Sequence, residues 1–437
     1  MTASQINNCF SSFIKALHPH FPLLSLPLDV QNTLEASPLL FWTIITVASR
    51  HDRASYRALQ PFVRKSIAGV LHPSGHGLQS CQALCLVCLW PFDAEDPNDD
   101  PSYLYAGMVS HLALKMGLHR PEFAHEFKDI NDAFDRAQHN HERWPTWLAC
   151  QFVEHMLASK NGVPSGIRSD WSSNYKLRNQ DSPAQRRISP ILRHHVQLCA
   201  IRDRHLTAIA YQGQTLSGLR PPKDREGYLK LYHAELDDFE AATSPLDPLS
   251  AVFLNMSRVT IAGFCLARDM MPCDHQLRLL LRSGLYSATA ILDLVAPLAW
   301  ETLPVHVLRS LLYAGVFASH LARCDMDTFS TEPMIVLERA TDILRHLAHG
   351  QDFATRAKIV LETELHRHAK GASSVQKRQA GVEFHARMEA NMYWDLVESD
   401  KSRHNWNQTA NDIYWKLILS EANPISPTRR GAPSAID

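Results

Sequence analysis

Residues 77–121 read GLQSCQALCLVCLWPFDAEDPNDDPSYLYAGMVSHLALKMGLHRP, and this stretch decides the fold class. From Ser80 to Trp90 the chain is apolar nearly all round, which at this length is the pattern of a helix buried on most sides. Trp90-Pro91-Phe92 ends it. An acidic turn follows, in which Asp99 and Asp100 precede Pro101. A carboxylate there caps exposed N–H groups, while proline fills the first helical turn, where its missing N–H does no harm. From Tyr103 to Met116, Leu104, Met108, Leu112 and Met116 recur every four residues, with Val109 and Leu114 widening the stripe. Gly117 is a natural C-terminal cap, and Leu118-His119-Arg120-Pro121 closes the stretch.

The same period extends in both directions. Residues 38–50 read as a buried helix with Ser37 as its cap and Pro38 at its first position. A shorter amphipathic helix is expected over 60–71 and another over 142–160, the latter ended by Asn161-Gly162-Val163-Pro164. Long segments over 189–212 and 223–242 are separated by Gly218-Leu219-Arg220-Pro221-Pro222, and 248–268, 275–295, 304–321 and 333–349 complete the series. No stretch alternates with period two between hairpin turns, so the expected class is all-α. Residues 1–30 form a proline-broken lead-in and 31–365 a large multi-helix domain. Residues 366–437 form a linker and a loosely ordered tail, with an exposed stretch over 370–379 and an end rich in proline, serine and arginine. Within the tail, Trp394 and Leu396, then Tyr414, Trp415 and Leu417, mix aromatic and aliphatic groups with acid. Such a mixture serves either as an activation segment that folds onto a partner or as short helices docking on the core.

Composition bounds the functional classes. With 437 residues, 45% hydrophobic and 20% charged, the chain has enough apolar material for one large core or two. A net charge of −1 gives no general attraction to nucleic acid, so direct DNA contact is not expected. The first thirty residues lack the pattern of a secretory signal, and 38–48 is too short to span a bilayer. Nine cysteines, an odd count without such a signal, point to reduced thiols in the cytosol or nucleus. Cys81, Cys85 and Cys88 share one helix face, but a tetrahedral zinc site needs a fourth ligand from elsewhere. They are read as buried thiols filling core space.

Taken in order, these elements resemble the fungal-specific transcription factor domain, the regulatory middle region of binuclear zinc-cluster activators. The lead-in His18-Pro19-His20-Phe21-Pro22, then Ser37-Pro38-Leu39-Leu40-Phe41-Trp42-Thr43-Ile44, is similar to the opening of that domain in the leucine-pathway and weak-acid-response activators. Trp90-Pro91-Phe92, Asp99-Asp100-Pro101-Ser102 and Gly117-Leu118-His119-Arg120-Pro121 follow in the family's order. Then come Glu142-Arg143-Trp144-Pro145-Thr146-Trp147 and Gly162-Val163-Pro164-Ser165. Pro145 departs from the pattern and fits a helix that starts at or near it. The resemblance implies an all-helical regulatory domain in the nucleus, working through protein–protein contacts with the transcription machinery or with a zinc-cluster factor. It implies no cofactor and leaves any small-molecule effector unnamed. Members usually carry six cysteines holding two zinc ions, a linker and a coiled coil ahead of this domain. Here only Cys9 precedes residue 80, and neither a basic recognition segment nor an apolar heptad run precedes Pro38. The expectation is a regulator without its own DNA reader in this chain, or one whose reader is encoded by an upstream exon. A helical partner that dampens a complete zinc-cluster factor without activating is a second reading.

An all-α isoprenoid-diphosphate enzyme is the alternative from another class. Its metal-binding carboxylates would have to come from Asp93, Glu95, Asp96, Asp99 and Asp100, but these sit in a proline-broken turn and read as capping and solvated groups. Gly162-Val163-Pro164-Ser165-Gly166 places its serine one position late for a nucleophile elbow, and no phosphate-binding or dinucleotide glycine pattern occurs. The pairs His346/His349 and His366/His368 lack carboxylates placed for zinc. No catalytic, cofactor or metal residue is assigned.

Overall fold

The computed structural model describes residues 1–72, 77–93, 100–127, 133–167, 188–271, 273–324, 329, 331–348, 352–371 and 381–401. Among these residues the chain forms α-helices and no strand, in agreement with the all-α expectation. It divides into two compact units, Met1–Tyr393 and Trp394–Asp437.

The first half is built from α1 (Ala3–Ser12), α2 (Val30–Ala36), α3 (Pro38–Ala48), α4 (Arg53–Ala68), α5 (Leu78–Leu89), α6 (Ser102–Lys115) and α7 (Ala133–Asn161). Polar side chains start these helices where the sequence supplies them: Ser37 Oγ accepts the Leu40 N–H at 3.2 Å, and Asp29 Oδ1 that of Asn32 at 2.7 Å. The helix α5 is buried on every side from Ser80 to Leu89, as its all-round apolar sequence requires. It packs against α3, α6 and α7.

The second half comprises α8 (Pro190–Ala210), α9 (Pro222–Thr243), α10 (Pro248–Cys265), α11 (His275–Val295), α12 (Val305–Arg323), α13 (Glu332–Leu347) and α14 (Phe353–Gly371). Asp247 and Asp274 cap α10 and α11, accepting the N–H groups of Ser250 and Leu277 at 2.9 and 2.8 Å. By length and composition α10 and α12 are apolar enough to cross a membrane. Yet 83% and 89% of their residues are buried inside the protein, the setting of core helices. Around them pack α11, α13 and α14, while α7 and α8 join the two halves.

Two expectations are corrected. The helix expected from Gln60 begins at Arg53, capped by the Asp52 carboxylate, and runs through Pro61. The tryptophan helix does not start near Pro145 but is continuous from Ala133 to Asn161. Each proline removes a bond to the carbonyl four residues earlier, and those carbonyls belong to Arg57 and His141, both exposed to water. On α4, Tyr56, Val63 and Ile67 hold the buried face together on both sides of the proline.

The first unit runs to Tyr393. Val382 accepts the Arg268 N–H at 2.9 Å and donates its own to Leu266 at 2.7 Å, forming an isolated parallel bridge with Ala267. Met388, Ala390 and Met392 are buried, and His320 Nε2 lies 2.8 Å from the Met392 carbonyl. The last described helix, α15 (Asn391–Lys401), carries Trp394 and Leu396. Tyr414, Trp415 and Leu417 lie outside the described residues.

Candidate functional site

The residues that carry the sequence signature meet as a clasp around α5, α6 and α7. Trp90, fully buried, donates from Nε1 to the Thr302 carbonyl at 3.0 Å, and His20 Nε2 lies 2.9 Å from the Thr302 hydroxyl. The lead-in and the end of α5 are thus tied to the same turn ahead of α12, a residue that no motif singled out. Arg50 donates to the Pro91 carbonyl, and Arg53 pairs with Asp93 at 2.9 Å.

Asp100 fastens the start of α6. Its Oδ1 accepts the Ser102 N–H at 3.0 Å, and its Oδ2 the Lys160 ammonium at 2.7 Å. Burial works against the charged carboxyl, but Lys160 and Ser102 overcome it and hold Asp100 down at about 2. Pro101 occupies the N-cap position itself. Asp99 lies outside the described residues. At the other end of α6, Gly117 has φ +65°, with Leu118 N–H bonded to the Ala113 carbonyl and Gly117 N–H to that of Leu114, a Schellman termination. Buried Arg143, on α7, donates to the Met116 carbonyl at 2.5 Å, placing a cation at the negative end of α6. The His119 ring lies 5.0 Å from that of Phe127 and 5.7 Å from that of Trp147. Arg120 is half-buried and Pro121 opens the 3₁₀ turn Pro121–Phe127. Lys160 near the end of α7 meets the start of α6, and Arg143 meets its end, so the two helices run antiparallel and are pinned at both ends.

Gly162 closes α7 with φ +67° and the same Schellman bonds, Val163 to Ala158 and Gly162 to Ser159. A Cβ at Gly162 would stand 2.1 Å from the Arg387 carbonyl oxygen, so the segment after residue 381 runs directly over this turn.

A buried polar centre lies beside the clasp, and sequence reasoning missed it. Arg202 of α8, 1% exposed, donates to Ser257 and Thr260 at 3.2 Å each and to Ser159 at 3.3 Å. Its guanidinium stands 3.7 Å from Glu389, whose Oε1 accepts the Ser159 hydroxyl at 2.6 Å. Burial pushes the Glu389 carboxyl above its ordinary value. Glu154 accepts the Gly166 N–H at 2.6 Å together with the Ser165 hydroxyl. Next to this centre, His195 and His306 pack edge-on with rings 5.3 Å apart, between Phe152 and Phe253. An arginine inside an apolar helix gives no periodic signal of its own; only the hydroxyls spaced along α10, Ser257 and Thr260, hint at a polar partner.

The nine cysteines are buried free thiols, and Cys85 and Cys150 bring their sulfurs to 3.8 Å. Burial raises the Cys85 thiol, which keeps it protonated and unreactive. Among the described residues no three histidine, cysteine or acidic side chains gather in a way that holds a metal ion.

The signature residues therefore lie at the ends of packed helices in an all-helical unit. Residues 10–185 match the model of the fungal specific transcription factor domain. It is 25% identical over 325 residues to a putative transcription factor SEF1 of Kluyveromyces lactis, covering 72% of this chain and 28% of that one. It is 26% identical over 331 residues to the transcriptional regulatory protein SEF1 of Candida albicans, covering 72% and 35%. The regulatory protein LEU3 of Saccharomyces cerevisiae is 21% identical over 284 residues, 60% of this chain and 32% of that protein. The chain thus spans about a third of the length of these curated relatives. No solved structure matches it.

Proposed function

We propose that this chain is the regulatory region of a fungal transcription regulator, located in the nucleus and acting through protein–protein contacts. The observation that carries this reading is the domain match over residues 10–185, which coincides with the clasp from His20 to Pro164. Named relatives that are transcription factors support it. The partners are the transcription machinery or a zinc-cluster factor, and contact with DNA is indirect through them. The segment that contacts the machinery does so through Trp394, Tyr414, Trp415 and Leu417, while Leu396 is 2% exposed and holds its helix in place. The pairing of Asp93 with Arg53 and of Asp100 with Lys160 supports a structural role for these carboxylates rather than diphosphate chemistry.

Fusing the full chain to a heterologous DNA-binding domain above a reporter tests this. Output is expected to change, rising for an activator and falling for a damper, and replacing Trp394, Trp415 and Leu417 together by alanine should abolish a rise. Output equal to that of the DNA-binding domain alone, with no zinc-cluster factor co-purifying, would refute the reading. Metal-dependent turnover of an isoprenoid diphosphate by the pure protein would replace it with the enzyme.

A further inference from the structure

We draw no further inference here: the strongest candidate, the exposed apolar patch on α6 at Leu104 and Leu114 with Phe123 and Phe127 in the turn after it, is a surface for which nothing in the structure shows what covers it.

Discussion

At the scale of single residues, the two glycines that end α6 and α7 differ in what surrounds them. Both have φ near +65°, where a side chain costs roughly 1–2 kcal/mol. A Cβ at Gly117 would press on the Phe127 ring, a side chain able to turn, whereas at Gly162 it would strike the Arg387 backbone. Gly162→Ala is therefore expected to destabilise the protein clearly more than Gly117→Ala, measured as the shift in the denaturant midpoint at constant slope. Equal losses would mean that the 381–393 segment gives way at no cost. Both glycines were legible in the sequence, because a glycine after an apolar stripe has one common explanation. Arg202 and Glu389 were not. Neither a buried arginine nor its acid, separated by most of the second half of the chain, announces the other in a linear reading.

At the scale of elements, the sequence located most helices but misplaced two starts. Pro145 was expected at or near a helix start and Gln60 at another, whereas Pro61 and Pro145 both lie inside helices, and Arg57 and His141, whose carbonyls they leave unbonded, are exposed residues. The expected capping carboxylate before α6 is present in Asp100, but its second role was invisible: it also holds α7 through Lys160. The Asp100 side chain is 8% exposed and that of Lys160 32%, so the pair is far less screened than a surface one. A double-mutant cycle of Asp100→Asn and Lys160→Met is expected to give a coupling of about 1 kcal/mol or more. Asp100→Asn alone should cost more than Lys160→Met, because it weakens the cap as well as the pair. Simple additivity in urea unfolding would show that the two ends of the clasp are not energetically joined. The pH dependence has a definite sign. With the Asp100 folded value at about 2, below its ordinary 3.8, this stabilisation is complete above the ordinary value and is lost as pH falls through 2.

At the scale of the molecule, buried histidines set the response to acid. Burial lowers His155 to about 3 and His195 to about 4, and it lowers His306 well below its ordinary value, with His195, Arg309 and His20 adding repulsion. The unfolded chain takes up protons near pH 6.5 while these three rings stay neutral in the fold. Stability is therefore full above about pH 6.5 and falls as pH drops toward 4, by up to about 1.4 kcal/mol per pH unit for each ring. His306 has neither ring nitrogen hydrogen-bonded and sits against Phe152, His195 and Phe253. Replacing it by phenylalanine should leave stability at pH 7 unchanged or raised and make the acid slope shallower. An unchanged slope would move the acid sensitivity elsewhere.

The extent of the folded unit is decided on the same scale. A basic, polar stretch over 370–379 reads as the end of a domain, and local composition offers no reason to read past it. What lies beyond is short, yet it fills places prepared for it far away in the chain. Val382 bridges to the end of α10, Met392 lies against Gly263, Arg387 covers Gly162, and Glu389 reaches Arg202. Gly263 and Gly162 leave space only because something else occupies it, and that occupant cannot be read from either glycine. A chain ending at residue 380 would leave the Arg202 cation buried without its acid and an opening over Gly263, both costly in a packed interior. It is expected to unfold at clearly lower denaturant than the full chain, or to aggregate, whereas a chain ending at residue 401 should keep the full-length midpoint. Adding a synthetic peptide of residues 381–401 to the shorter chain should restore part of the loss. If the chain ending at 380 unfolds like the full chain, the segment is an accessory strand laid on a finished core, and the folded unit ends where the composition changes.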